Sequence, residues 1–188
     1  MDLYLARHGE ADVEGRLTET GARQAALLGQ RLRSVSLVRV HHGPLERAAR
    51  TAAIVAPNLD GAEVVEDDAA GDYVPYVPHP NDVPPAFAGF VDAIGPASPD
   101  LTAAAEDRFT GTGEGASLVV THNFLIAWLV RAALGAPPDR WLGLNFCNAA
   151  LTLIRYTPGR PPSILLYNNQ SHLPEPLRWT GFPPALRP

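Results

Sequence analysis

Apolar residues along this chain gather in short unbroken blocks that stop on a histidine, glycine or proline, and most blocks are followed by a longer stretch with helical spacing. The first block is Leu3-Tyr4-Leu5-Ala6, closed by Arg7-His8-Gly9-Glu10. An apolar run stopped by a glycine predicts a strand covered on both faces, the first and central strand of a parallel sheet. After the polar segment 11–16, Thr18 offers an N-cap for a helix reaching about Leu32, with Ala22, Ala25, Ala26, Gly29 and Leu32 along one face. Residues 37–40 form the second block. His41-His42-Gly43-Pro44 follows, and a proline suits the first turn of the next helix, which should run to about Ala56 and stop before Pro57.

Residues 63–66 predict a short strand. From Asp67 to Pro85 the chain is acidic and broken by prolines 75, 78, 80, 84 and 85, which reads as an ordered surface excursion or a lid. Two short helices are expected over 85–94 and 100–109, the second capped by Ser98 or Asp100. The glycine-rich 111–115 is a connector, because no Lys-Ser/Thr follows it as a phosphate-cradling loop requires. Ser117-Leu118-Val119-Val120-Thr121 is the clearest strand; it ends on His122, and a helix is expected over 124–134. Runs 148–156 and 163–167 predict a hairpin closing the sheet edge, and the proline-rich 168–188 should pack without regular structure. Strand, loop and helix in this alternation predict an α/β fold: a three-layer α/β/α sandwich with a mainly parallel sheet and an antiparallel edge. One domain over 1–188 is expected, with a small cap or lid at about 67–109.

Composition narrows the partners. With 46% hydrophobic and 19% charged residues and a net charge of −5, the chain has no general affinity for nucleic acid, so an anionic ligand needs a local cluster of arginines. No apolar run of roughly 20 residues suits a membrane span, and no cationic segment leads into an apolar one at the amino terminus; a cytoplasmic protein with no membrane partner is expected. Cys147, the sole cysteine, excludes an internal disulfide and a zinc site of several thiolates, and should be a small buried hydrophobe. Nothing in the pattern sets an oligomeric state.

Candidate chemistry follows from the strand ends, since ligands of open α/β sheets collect beyond the carboxyl ends of the strands. His8 alone reads equally well as a surface histidine in a strand-to-helix turn. If the first, second and Ser117–Thr121 strands are neighbours, however, Arg7, His8, Arg47 and His122 converge on one pocket. Neutral imidazole is a nucleophile, and guanidinium forks match phosphoryl oxygens.

These residues carry a resemblance. Leu5-Ala6-Arg7-His8-Gly9-Glu10, Leu17-Thr18-Glu19-Thr20-Gly21-Ala22-Arg23-Gln24-Ala25, Pro44-Leu45-Glu46-Arg47-Ala48-Ala49-Arg50-Thr51-Ala52 and Val119-Val120-Thr121-His122-Asn123 resemble, in order, motifs of the histidine phosphatase superfamily, the phosphoglycerate-mutase-like phosphatases. Asn148-Ala149-Ala150-Leu151-Thr152 is similar to a later family strand. The resemblance implies a metal-independent phosphatase, without cofactor, that hydrolyses a phosphomonoester through phosphohistidine on His8. The substrate would be a small phosphorylated molecule or a phosphoprotein. Arg7, Arg47 and His122 would hold the phosphoryl oxygens, His8 would donate its other nitrogen to a carbonyl near Gly9, and His122 would act as a cation, raised by bound phosphate.

The family's general acid is usually a glutamate about five residues beyond an aspartate. Here that offset from Asp67 lands on Asp72, with Asp68 and Glu66 as the other candidates. The chain departs from the family pattern at Glu14, where an asparagine is usual and where a carboxylate should turn away or pair with an arginine; at His42-Gly43, which replace two serines; and at Asn123, which replaces a glycine at the pocket rim. His41 and His172 should be hydrogen-bonded structural or surface residues, Arg50 solvated or ion-paired, and Trp128, Trp141 and Trp179 core or pocket wall. Other readings are a phosphoprotein phosphohistidine phosphatase, a subgroup that tends to lack the acid, a phosphoglycerate-type mutase, and a non-catalytic phospho-ligand-binding module on the same fold.

Overall fold

The computed structural model describes residues 1–111, 113 and 115–187. Six strands, β1 (Asp2–Arg7), β2 (Leu37–His42), β3 (Glu63–Glu66), β4 (Ala116–Thr121), β5 (Leu151–Arg155) and β6 (Ser163–Asn169), form one sheet in the order β3-β2-β4-β1-β5-β6. The β3-β2, β2-β4 and β4-β1 pairs are parallel, whereas β1-β5 and β5-β6 are antiparallel. The sheet is therefore mainly parallel with an antiparallel edge, as the apolar blocks predict. β1 stands at the junction of the two parts, not inside a wholly parallel sheet.

Alternation along the strands divides the core in two. Ala6, Val40, Leu118 and Val120 face α1 (Glu19–Leu32) and α2 (Glu46–Val55). Leu3, Leu5, Val119 and Ile154 face α4 (Pro99–Phe109) and α5 (Asn123–Ala133), and the flanks of the short α3 (Ala88–Ala93) pack on the same side. Helices on both faces complete three layers.

Two local expectations shift. The buried stripe of α1 is Gly21, Gln24, Ala25, Leu28, Gly29 and Leu32, so Ala22 and Ala26 yield the inner face to Gln24 and Leu28. A polar residue is tolerated there because its amide is fully used, as described below. Pro44 precedes α2 instead of entering its first turn: Leu45 stays extended at the N-cap, and its carbonyl accepts from Ala48 N and Ala49 N at 2.9 and 3.1 Å. Thr18 caps α1 as expected, its Oγ1 accepting from Gly21 N at 3.0 Å. Ser98 holds the N-cap position of α4 but makes no side-chain capping bond.

The proline-rich excursion is pinned to the body. Tyr73 donates to the carbonyls of Ala69 and Leu101, Thr102 to that of Pro75, and Trp141 to that of Tyr76. Of the glycine-rich connector, Thr112 and Glu114 lie outside the described residues, as does Pro188 in the tail. No described helix is long and apolar enough to cross a membrane.

Candidate active site

The strand order sets β2, β4 and β1 side by side, with their carboxyl ends on one edge of the sheet. There Arg7, His8, Arg47, Asp72 and His122 line one cavity of about 620 Å³. The imidazoles of His8 and His122 lie with centroids 5.0 Å apart. His8 is fixed at both ends of its backbone: its N–H donates to Thr121 O at 3.0 Å, and its carbonyl accepts from Asn148 Nδ2 at 2.9 Å. Its Nδ1 is 2.7 Å from Gly9 O, so Nδ1 carries the proton and Nε2 keeps its lone pair. That lone pair accepts from Arg47 Nε at 3.2 Å.

Arg7 ends β1, with Nη1 donating to the carbonyls of Phe146 at 2.8 Å and Gly181 at 2.7 Å. Gly181 has φ +69, and a Cβ there would stand 2.2 Å from Asn148 Oδ1 and 2.7 Å from Arg7 Nη1. The irregular tail can thus close on the site only through a glycine. Arg47, on the first turn of α2, donates from Nη2 to Asp72 Oδ2 at 2.7 Å. Asp72 is delivered by a tight turn over Asp68–Ala70, which Asp67 caps by accepting from Ala69 N at 3.0 Å, and which β4 holds through Thr121 Oγ1 donating to Ala70 O at 2.7 Å.

Asp72 Oδ2 also stands 3.4 Å from His122 Nδ1, without hydrogen-bond geometry; neither ring nitrogen of His122 has a partner. Burial, then Arg47 and Arg7, push His122 down to about 3. Burial, then His122 and Arg7, push His8 to about 3 as well. Both imidazoles are neutral near pH 7. Two guanidiniums and a buried strand end oppose a charge on His122 here, whereas the cationic form expected from the sequence is one raised by bound phosphate.

Of the three acid candidates, Asp72 alone lines the cavity; Glu66 and Asp68 are exposed and lie outside it. Asp67 is buried and binds His41 and Arg108, with burial opposing and Arg108 favouring its charge, for a net downward shift. Glu14 turns away and pairs with Arg16 at 2.5 Å. His42 is buried off the cavity, its Nδ1 donating to Gly43 O at 2.9 Å. Arg50 is exposed, His172 Nε2 lies 3.0 Å from Ala149 O, and Asn123 lines the rim while accepting from Phe146 N. Cys147 is fully buried.

Three further residues hold the site. Thr51 Oγ1 accepts from Gly9 N at 3.0 Å and donates to Arg47 O at 2.7 Å, tying the nucleophile loop to α2. Gln24 accepts from Glu10 N at 2.8 Å and donates to Leu177 O and Thr180 Oγ1 in the tail. Asn148 clamps His8 from across the sheet. The first two left a signal, a polar residue on the apolar face of a helix; Asn148 left no local pattern, only its place at the head of the segment similar to a later family strand.

With the geometry established, comparison with known proteins assigns the lineage. The sequence model described as histidine phosphatase superfamily (branch 1) matches residues 3–71 and 101–170, and the chain belongs to that superfamily. It is 26% identical over 192 residues to the Xenopus laevis protein named serine/threonine-protein phosphatase PGAM5, mitochondrial, covering 92% of this chain and 66% of the relative. To the Mus musculus protein of the same name it is 29% identical over 163 residues, covering 80% and 56%. The chain therefore spans less than two thirds of the length of these relatives. Among solved structures, a phosphoserine phosphatase from Entamoeba histolytica superposes with a TM-score of 0.67 at 20% identity, covering 92% of this chain and 98% of that one, a likeness of fold.

Proposed function

We propose that this chain hydrolyses a phosphomonoester through a phosphohistidine on His8. The observation that carries the reading is the His8 imidazole with Nδ1 bonded to Gly9 O, so that Nε2 faces a cavity bounded by two guanidiniums and a carboxyl. Arg7 and Arg47 hold the phosphoryl oxygens, and His122 contributes through a ring whose nitrogens are free to meet them. Nε2 attacks phosphorus as the ester P–O bond breaks, and the leaving oxygen takes a proton from Asp72. In the second half, Asp72 takes a proton from water, whose oxygen attacks phosphorus; the P–N bond breaks and inorganic phosphate leaves. Arg47 must first release Nε2, and a phosphoryl anion offers its Nε–H a stronger acceptor than imidazole.

The position of Asp72 favours a monoester hydrolase over a phosphohistidine phosphatase that would work without an acid. Glu10, Asp12 and Asp72 on the cavity wall disfavour a mutase acting on a second anionic group. Incubation with an aryl phosphate tests the mechanism: the parent should release phosphate and form an acid-labile phosphoenzyme, and His8→Ala should lose both. Turnover that survives His8→Ala overturns it, and silence of the parent across aryl, alkyl and protein phosphates favours a binding module.

A further inference from the structure

A second cavity of about 300 Å³ opens beside the first, and Asn123 and Phe124 at the amino end of α5 line both. Its walls are Phe87, Phe90, Phe124, Trp141, Leu144 and Leu186, with Asn123 and Asn145 as the polar side chains. The rings of Phe124 and Trp141 meet at 5.0 Å and 65°, those of Phe90 and Phe124 at 5.9 Å and 87°, and those of Phe90 and Trp141 at 6.4 Å. Such an edge-to-face cluster accepts another aromatic ring in the same geometry. Phe90 and Leu186 remain 40% and 61% exposed, so the enclosure they form has apolar surface still to cover.

Charge decides between occupants. No charged residue lines the second cavity, and the cations lining the first are Arg7 and Arg47, which the phosphoryl group itself requires. Arg16 is engaged by Asp12 and Glu14, and Arg187, exposed and next to Leu186, lines neither cavity. Of the lining carboxylates Asp12 is paired with Arg16 and Asp72 with Arg47, so a leaving group bearing a carboxylate or a second phosphate would meet Glu10 and no cation among the lining residues beyond Arg7 and Arg47.

Building on the phosphatase reading, we infer that the Phe90–Phe124–Trp141 cavity is the leaving-group subsite, and that the substrates are phosphomonoesters of uncharged aromatic or similarly bulky apolar alcohols. Phosphorylated carboxylic acids and sugar bisphosphates are excluded as a class. The phosphoryl group sits between Arg7 and Arg47, and the apolar alcohol passes over Phe124 into the cavity beneath α3.

Calorimetric binding of phosphonates, which need no turnover, tests the subsite. 2-Naphthylmethylphosphonate should bind at least about tenfold tighter than methylphosphonate, as burial of a bicyclic ring allows, and 3-phosphonopropionate should gain nothing over methylphosphonate. Phe90→Ala and Leu186→Ala, both at exposed positions, should each lower the naphthyl-to-methyl ratio severalfold. Phe90→Arg should raise the relative affinity of 3-phosphonopropionate. Equal affinities for the naphthyl and methyl ligands, or tighter binding of the carboxylate by the parent, overturn the subsite. A parent that keeps the naphthyl preference yet fails to hydrolyse 2-naphthyl phosphate overturns the phosphatase reading and leaves the subsite standing.

Discussion

Asp72 carries a sharp prediction, because what an acid contributes depends on how much help the leaving oxygen needs. With a simple alkyl phosphate, Asp72→Asn should lower kcat by about 10²-fold or more. With p-nitrophenyl phosphate, whose leaving group departs as a stable anion, the loss should be much smaller. An equal loss on both substrates would mean that Asp72 acts only by holding Arg47, to which it is bonded at 2.7 Å. His8 carries a second prediction: with its imidazole held near 3, the nucleophile is unprotonated throughout the neutral range, so kcat/KM should show no acid limb at the ordinary histidine value of 6.5. Such a limb in the parent, not traceable to titration of the substrate phosphate, would sink the neutral-nucleophile picture. Arg7, His8, Arg47 and His122 were legible in the chain because each closes an apolar block or opens the helix after one. Asn148 and Gly181 were not: they reach His8 and Arg7 from 140 and 174 residues away, and no local pattern records so distant a contact.

At the level of elements, the join between the end of β1 and the start of α1 controls how well those residues are aimed. A Cβ on Gly9 would stand 2.4 Å from Gly21 O, and one on Gly21 would stand 2.1 Å from Glu10 O. Backbone meets backbone there, and neither side can yield by a rotamer change. Gly21→Ala should therefore cost about 1–3 kcal/mol or more, read as a lower urea midpoint. Because Thr18 and Gln24 bond Glu10 from the same helix, the shift should also displace His8 and lower kcat/KM beyond any loss of folded protein. A stable Gly21→Ala with parental activity would show that α1 does not position the loop. Strand and helix identities were readable from periodicity, since burial on both faces leaves apolar runs and burial on one leaves a stripe. What periodicity missed at Gln24 and Pro44 was set by tertiary hydrogen bonding and by the extended backbone of Leu45, neither of which leaves a hydrophobic signature.

For the molecule as a whole, buried histidines, two of them in the active site, couple function to acid stability. His8 and His122 sit near 3 and His172 near 4, each lowered first by burial, against 6.5 for an exposed histidine. Above about pH 6.5 all three are neutral in the folded and unfolded chain alike, and they leave stability independent of pH. As pH falls through 6.5 the unfolded chain takes up protons that the fold refuses, so stability is lost progressively down to about pH 3–4. Near pH 5 each fully excluded proton contributes a slope of about 1.4 kcal/mol per pH unit. Three would give roughly 4 kcal/mol per unit, somewhat less because His172 is the least enclosed. Urea midpoints measured between pH 7.5 and 4.5 should therefore be level at first and then fall steeply. His122→Asn should remove about one proton from the slope. Inorganic phosphate should act in the same direction, since an anion between Arg7 and Arg47 reverses the field that now keeps His122 neutral and lets the fold hold that proton. A midpoint that stays level from pH 7 to 5 would show that these imidazoles reach water far more freely than their burial implies.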